Sequence, residues 1–230
     1  MGDIQTLTET SPRILAHRGA SGYAAENSLE AFREARSRGA DGVELDVHPA
    51  ADGTLIVHHD PGIPGAGPIA GLTLGEIKSR RLTNGETIPT LAEALAVLAG
   101  LEVWVEVKAL GAGLDEAFLE ALGDPIPALI GVHSFDHRII ARLGTRMPGL
   151  RRGVLSVSYP VDPVTQMRDA GAGTLWQEWR TIDAELVREV HRMGGEVIAW
   201  TVPDAGAARR LAELGVDALC GNYPDRLRIR

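Results

Sequence analysis

Short β-branched, apolar runs alternate along the chain with amphipathic stretches rich in Ala, Leu, Glu and Arg. The apolar runs predict strands at 13–17, 42–47, 102–107, 128–133, 153–157, 174–177, 197–201 and 217–220. Helical periodicity lies between them, at 28–38, 91–98, 114–122, 136–143, 162–170, 183–192 and 206–214. Capping residues mark several helix starts (Ser28, Asp136, Asp162, Asp183), and glycines mark several ends (Gly39, Gly123, Gly144, Gly171, Gly194, Gly215). Eight strands separated by helices imply parallel pairing through crossovers, and nearly continuous apolar strands imply burial on both faces. The expected fold is α/β, a (β/α)8 barrel. An open doubly wound sheet would need a Gly-rich phosphate loop after the first strand, and His17-Arg18-Gly19-Ala20 is not one.

One stretch breaks the alternation. A short strand at 54–57 leads into PGIPGAGP at 61–68, for which no regular structure is expected. Because the alternation then resumes in phase, 60–88 reads as an insertion between the second strand and its helix, within one domain over 1–230.

Composition narrows the function classes. Apolar residues make up 44% and charged residues 23%, which suits a globular chain and not a disordered one. The net charge of −8 speaks against nucleic acid or a stable association with an anionic membrane. No run of apolar residues is long enough to span a bilayer, and Met1–Arg13 reads as polar and Thr-rich rather than as a signal peptide. Cys220 is the only cysteine, so no internal disulfide and no cysteine-based zinc site can form. The expected compartment is the cytoplasm.

Candidate chemistry gathers at strand ends, where barrels carry their active sites. Glu44 and Asp46 are two apart on the second strand and share a face. Glu106 and Lys108 repeat that spacing on the third, about 4.8 Å away across the sheet. Carboxylates brought together in a dry site need a cation, and an all-oxygen set suits Mg²⁺, Ca²⁺ or Mn²⁺. The plain alternative is a set of solvated, outward-facing charges. His17 and Arg18 end the first strand, offering a proton carrier beside a guanidinium that can grip an oxyanion. His58 and His59 follow the 54–57 strand, and Asp60 could orient the His59 ring. His133 ends the fourth strand and is expected to line the mouth, whereas His48, His137 and His191 read as surface residues. Trp200, Trp176, Trp179, Phe135 and Tyr223 all fall at or just past strand ends and could wall the mouth.

Two blocks, HRGASGYAAENSLEAF at 17–32 and GVELDVHPAADGTLIVHHDP at 42–61, resemble the glycerophosphodiester phosphodiesterase family. The family pattern runs H-R-G, P-E-N-T, E-x-D and D-G-x-x-V-x-H-D. LTLGEIK, IPTLAEAL, VEVK, HSFD, AWTV and GVDALCGNYPDRL extend the match in order over nearly the whole chain. The resemblance implies a (β/α)8 barrel that hydrolyses glycerophosphodiesters, small-molecule substrates, to an alcohol and glycerol 3-phosphate with one divalent cation. By motif, Glu44, Asp46 and Glu106 correspond to the metal ligands and His17 and His59 to the acid–base pair. Arg18 and Lys108 correspond to phosphate contacts, and Trp200 to a tryptophan near the glycerol. Ala25, Ser28 and Gly221-Asn222 depart from the usual Pro, Thr and Thr-Asp, and the short Gly/Pro-rich stretch after Asp60 replaces a longer family segment. Two other readings stay open: phospholipase D-like action on lysophospholipids, which calls for apolar area at the mouth, and a catalytically silent barrel that only binds such diesters.

Overall fold

A computed structural model describes residues 11–229. The reading of the first residues as lacking a signal peptide therefore falls largely on Met1–Thr10, outside the described residues. Among the described residues there are eleven strands: β1 (Arg13–His17), β2 (Gly42–Pro49), β3 (Leu55–Val57), β4 (Gly62–Ile63), β5 (Gly67–Pro68), β6 (Glu102–Val107), β7 (Ile130–Ser134), β8 (Arg151–Ser156), β9 (Thr174–Glu178), β10 (Glu196–Trp200) and β11 (Ala218–Gly221). The helices are α1 (Leu29–Ser37), α2 (Leu74–Lys78), α3 (Leu91–Leu98), α4 (Asp115–Leu122), α5 (His137–Arg146), α6 (Thr165–Ala170), α7 (Ala184–Arg192), α8 (Ala205–Glu213) and α9 (Pro224–Leu227).

Eight strands pair in parallel in the order β1, β2, β6, β7, β8, β9, β10, β11, and the pairing of β11 with β1 closes the barrel. Alternate residues on each strand face opposite ways. Those pointing out (Val43, Leu45, Val105, Val132, Leu175) pack beneath the helices in one large apolar core. Those pointing in (Leu15, Trp104, Leu155, Trp176, Ile198, Ala218, Cys220) form a separate plug inside the barrel. The two indoles need space, and glycine supplies it. A Cβ on Gly131 would lie 2.8 Å from the Trp104 ring, and one on Gly153 the same distance from Trp176.

Below the plug, the N-terminal end of the barrel is closed by charge. Arg13, Glu102, Arg151 and Glu196 form a ring in which each guanidinium approaches both glutamates, at 2.9–3.9 Å. Trp104 Nε1 also donates to Glu102, at 2.8 Å.

Local sequence explains most element ends. The side chains of Ser28, Asp136, Asp183 and Asp204 accept hydrogen bonds from first-turn amides, and Thr73 and Thr90 form reciprocal capping boxes with Glu76 and Glu93. Two expected ends differ. Asp162 is not the cap of α6, which starts at Thr165; it accepts instead from the Val164 amide and the Thr165 hydroxyl. Gly144 does not end α5, which continues to Arg146. The Arg152 guanidinium lies against it, and a Cβ there would meet Arg152 Nε at 2.6 Å.

The segment expected to lack regular structure is ordered. Strand β3 turns back antiparallel on β2, β4 and β5 form a small ribbon, and a 3₁₀ turn at Ile69–Gly71 leads into α2. Ala50, Ile56, Ile63, Ile69, Ile77 and Ile88 give the segment its own apolar core, apart from that of the barrel. These isoleucines are spread too thinly in sequence to register as a periodic pattern.

Candidate active site

The acidic cluster assembles as the spacing predicts. Asp46 on β2 lies opposite Glu106 on β6, which lies opposite His133 on β7, while His17 on β1 lies opposite Glu44. One oxygen each from Glu44, Asp46 and Glu106 falls within 4.8 Å of the others, and all three side chains are buried. The reading of these residues as outward, solvated charges does not hold.

Asp46 is the best compensated of the three. Lys108 Nζ stands 2.9 Å and Arg18 Nε 3.2 Å from its carboxylate, and Asn27 Nδ2 donates to it at 2.8 Å. Burial pushes the Asp46 pKa up, but these two cations outweigh it and bring it to about 2. Glu106 is raised to about 7 by burial and by the neighbouring Asp46, although Lys108 is only 2.8 Å away. Burial and the other two carboxylates drive Glu44 well above the usual range, despite a hydrogen bond at 3.0 Å from the Arg18 backbone amide. Arg18 and Asn27 both adopt positive φ, 54° and 56°; the Arg18 backbone amide donates to Glu44, and the Asn27 side-chain amide to Asp46. Fully ionised, the three buried carboxylates would set three negative charges against the two positive charges of Arg18 and Lys108, and the raised Glu44 and Glu106 hold protons that a bound cation would displace. That arrangement fits a hard divalent cation.

His17 lies at the edge of the cluster, with Nε2 4.0 Å from Glu44, and its Nδ1 donates to Asn222 Oδ1 at 2.8 Å. Burial, with Arg18 adding to it, lowers its pKa to about 4, so the ring is neutral and Nε2 carries the free lone pair. His59 arrives by an indirect route. Strand β3 runs back along the part of β2 that rises above its pairing with β1, and the His58 amide donates to the Asp46 carbonyl at 3.1 Å. His59 Nδ1 then donates to Asp60 Oδ1 at 2.8 Å, and His48 Nε2 donates to the His59 carbonyl at 3.1 Å.

Residues 17–226 match the glycerophosphoryl diester phosphodiesterase family. A glycerophosphodiester phosphodiesterase from Caldanaerobacter subterraneus subsp. tengcongensis is 30% identical, with 93% of this chain and 95% of that protein aligned. An Oleispira antarctica phosphodiesterase, solved with its product sn-glycerol-3-phosphate, superposes with a TM-score of 0.84 at 28% identity, over 94% of this chain and 95% of that one. The Thermotoga maritima glycerophosphodiester phosphodiesterase superposes with a TM-score of 0.79 at 26% identity, over 93% and 96%. The chain belongs to this family.

It is accordingly a phosphoric diester hydrolase, and the other expected residues can be set against that role. Trp200 is at the mouth, where its ring meets Phe135 edge-on at 5.6 Å. The other aromatics expected there lie elsewhere. Trp176 is sealed in the interior plug against Trp104, at 5.4 Å. Trp179 packs outside the barrel beneath Arg180 and Arg210, and Tyr223 meets Tyr23 beside Gly22. A strand-end position does not tell which way a side chain turns.

The histidines also divide. His191 is exposed and pairs with Asp217 at 2.9 Å. His48 and His137 are not surface residues as expected. His48 is buried and supports the His59 backbone, while His137 is half-buried and donates to the Leu155 carbonyl at 2.9 Å. The two-residue spacing Glu44, Asp46, His48 was the available signal for His48. His133, expected to line the mouth, is instead sealed beneath it, its ring centroid 4.1 Å from that of Trp176. It is 1% exposed and kept uncharged by burial, with both ring nitrogens unpartnered and Nε2 3.8 Å from Glu44. No sequence signal assigns a contact to Asn222 or Gln177, because an amide carries no charge or spacing signature. Among the described residues no helix is long and apolar enough to cross a membrane.

Proposed function

We propose that this phosphodiesterase hydrolyses glycerophosphodiesters to an alcohol and glycerol 3-phosphate, with His17 as base and His59 as acid. The observation that carries this reading is the buried, under-neutralised Glu44–Asp46–Glu106 cluster with the free Nε2 of His17 beside it. Glu44, Asp46 and Glu106 would hold the divalent cation, Mg²⁺ or Ca²⁺ with Mn²⁺ a further candidate, which when bound offsets charge on the phosphate oxygens. The glycerol 3-phosphate bound by the Oleispira relative supports assigning that half of the diester to the retained product.

The chain's own groups do the rest. Arg18 and Lys108, already among the carboxylates, contact the phosphate and stabilise the charge that develops in the transition state. Asn222 holds Nδ1–H of His17, so Nε2 can accept the proton of the attacking hydroxyl, from water or from the neighbouring glycerol hydroxyl. Asp60 holds the His59 ring, which delivers a proton to the departing alkoxide. Trp200 sides with the glycerol. The chain 1–230 acts as one domain, with the 60–88 insertion shaping the entrance. A small-molecule substrate and a cytoplasmic location complete the reading, supported by the net charge of −8 and the buried, unpaired Cys220.

Leaving-group dependence tests the two histidines. An acid matters only when the departing alkoxide is a poor leaving group. His59→Ala should lose roughly 10²–10⁴-fold on glycerophosphocholine and far less on a p-nitrophenyl diester of glycerol phosphate. His17→Ala should fail on both. Rescue of His17→Ala alone by the activated ester would reverse the roles.

A further inference from the structure

Of the three clustered carboxylates, Glu44 is the least firmly held. Asp46 is met by Lys108, Arg18 and Asn27, and Glu106 by Lys108. Among the described residues Glu44 accepts one hydrogen bond, from the Arg18 backbone amide to Oε2 at 3.0 Å. Its other oxygen, Oε1, faces His133 Nε2 at 3.8 Å, about 1 Å longer than a hydrogen bond. The barrel sets up this approach. Glu44 and Glu106 point inward from β2 and β6, and His133 is the register partner of Glu106 on β7.

The surroundings of His133 do not explain an imidazole. Its ring centroid lies 4.1 Å from that of Trp176 and 5.8 Å from that of Trp104, and its Cβ would stand 3.3 Å from a Cβ on Gly153. An apolar side chain would fill such a slot without loss. His133 instead leaves both ring nitrogens without a hydrogen bond, and among the described residues no other buried side chain strands two polar atoms. A stranded buried donor or acceptor costs stability, so a native chain that keeps one has a use for it. The uncharged ring offers one N–H and one lone pair.

We propose that His133 is a positioning residue for the cation site, its Nε2–H holding Glu44 Oε1 when that carboxylate serves as a ligand. The proposal rests on the reading above in which Glu44, Asp46 and Glu106 hold the divalent cation. The last torsion of a glutamate is soft, so a small turn of the Glu44 carboxylate brings Oε1 towards Nε2. Held from the Arg18 amide on one side and from β7 on the other, the carboxylate plane is fixed and its free lone pairs face Asp46 and Glu106. At 1% exposure, His133 is sealed from the mouth and acts through Glu44 rather than on the substrate.

Cation binding separates this role from packing. Mn²⁺ and Mg²⁺ are titrated by calorimetry into the full chain freed of cation with chelator and dialysed, and the cation-free proteins are melted. His133→Leu should weaken both cations about 10–100-fold, the usual effect of losing a partner that orients a ligand. It should melt no lower than the wild type without cation, because two stranded nitrogens are gone. His133→Gln, whose amide nitrogen can reach as far as Nε2, should recover the larger part of the lost affinity. Wild-type affinity in His133→Leu, or equal losses in the leucine and glutamine variants, overturns the inference and leaves the cation reading standing. A leucine variant that melts well below the wild type makes the imidazole a packing group and overturns it as well. A wild-type chain that takes up neither cation overturns the cation reading and the role of His133 together.

Discussion

The two ends of the barrel interior are both lined with charge, and they are built on opposite terms. At the N-terminal end, Arg13 and Arg151 face Glu102 and Glu196 in a closed ring, two charges of each sign. At the C-terminal end, three buried carboxylates meet Arg18 and Lys108, Arg18 is shared with Glu26, and the ring nitrogens of His133 make no hydrogen bond. A tryptophan-filled plug separates them. Charges that balance among themselves complete the fold; charges left over need something from outside. The cluster in surplus is therefore the one proposed to act.

The largest effect expected from this contrast is in turnover. Glu44→Gln removes one carboxylate from the surplus end and should cut activity on the order of 10²–10³-fold. The same variant should melt at a higher temperature than the wild type in chelator, because a carboxyl that burial and its acidic neighbours force to hold a proton is gone. A cation-free variant that melts lower would show that the cluster is not under electrostatic strain.

Glu102→Ala should reverse that pattern. It leaves two guanidiniums facing one glutamate and removes the acceptor of Trp104 Nε1. A buried pair broken on one side costs about 3–5 kcal/mol, and the partial exposure of both arginines brings the expected loss to about 2–3. Chemical denaturation measures it, and kcat below the unfolding range should stay near the wild-type value. A large fall in kcat would mean that the two ends are coupled through the plug.

The smallest effect is a pH dependence. Glu106 holds its proton more tightly folded than unfolded, so its contribution to stability is complete below about pH 4.5 and is lost as pH rises through about 7. His17, buried and neutral, has the opposite sign: stability falls as pH drops from about 6.5 towards 4. Above pH 6.5 the carboxylate slope remains. Stabilisation by Mg²⁺, Mn²⁺ or Ca²⁺ should accordingly be greater at pH 8 than at pH 5.5, by about 2 kcal/mol from Glu106. Thermal melts with and without cation check this, and Glu106→Gln should reduce the difference.

Much of this organisation is written in local pattern. Period-two spacing places Glu44, Asp46 and Glu106 on an inner face, and strand–helix alternation gives the closed barrel. Less is legible where the outcome depends on distant partners. Nothing near Asn222 in sequence says that its amide meets His17, 205 residues away. Arg13, Glu102, Arg151 and Glu196 look like ordinary strand-start charges until the barrel closes. Gly144 reads as a helix stop because its requirement comes from Arg152, on the next strand. The aromatics at strand ends were ambiguous for a related reason: one residue of offset sends a ring inward, outward or over the rim.

The small isoleucine core has a consequence for how this enzyme can change. Ile56 bridges to Thr90, and the Val57 amide donates to the Pro89 carbonyl at 2.8 Å, so the two ends of the insertion are clasped together. Everything between them is a handle with its own filling, joined to β2 by one short antiparallel pairing and to α1 through Asn84 and Glu86. Lineages can lengthen, trim or exchange such a handle while the staves of the barrel stay put. His59, the proposed acid, sits just inside the clasp, so its place can persist while the rest of the handle is rebuilt.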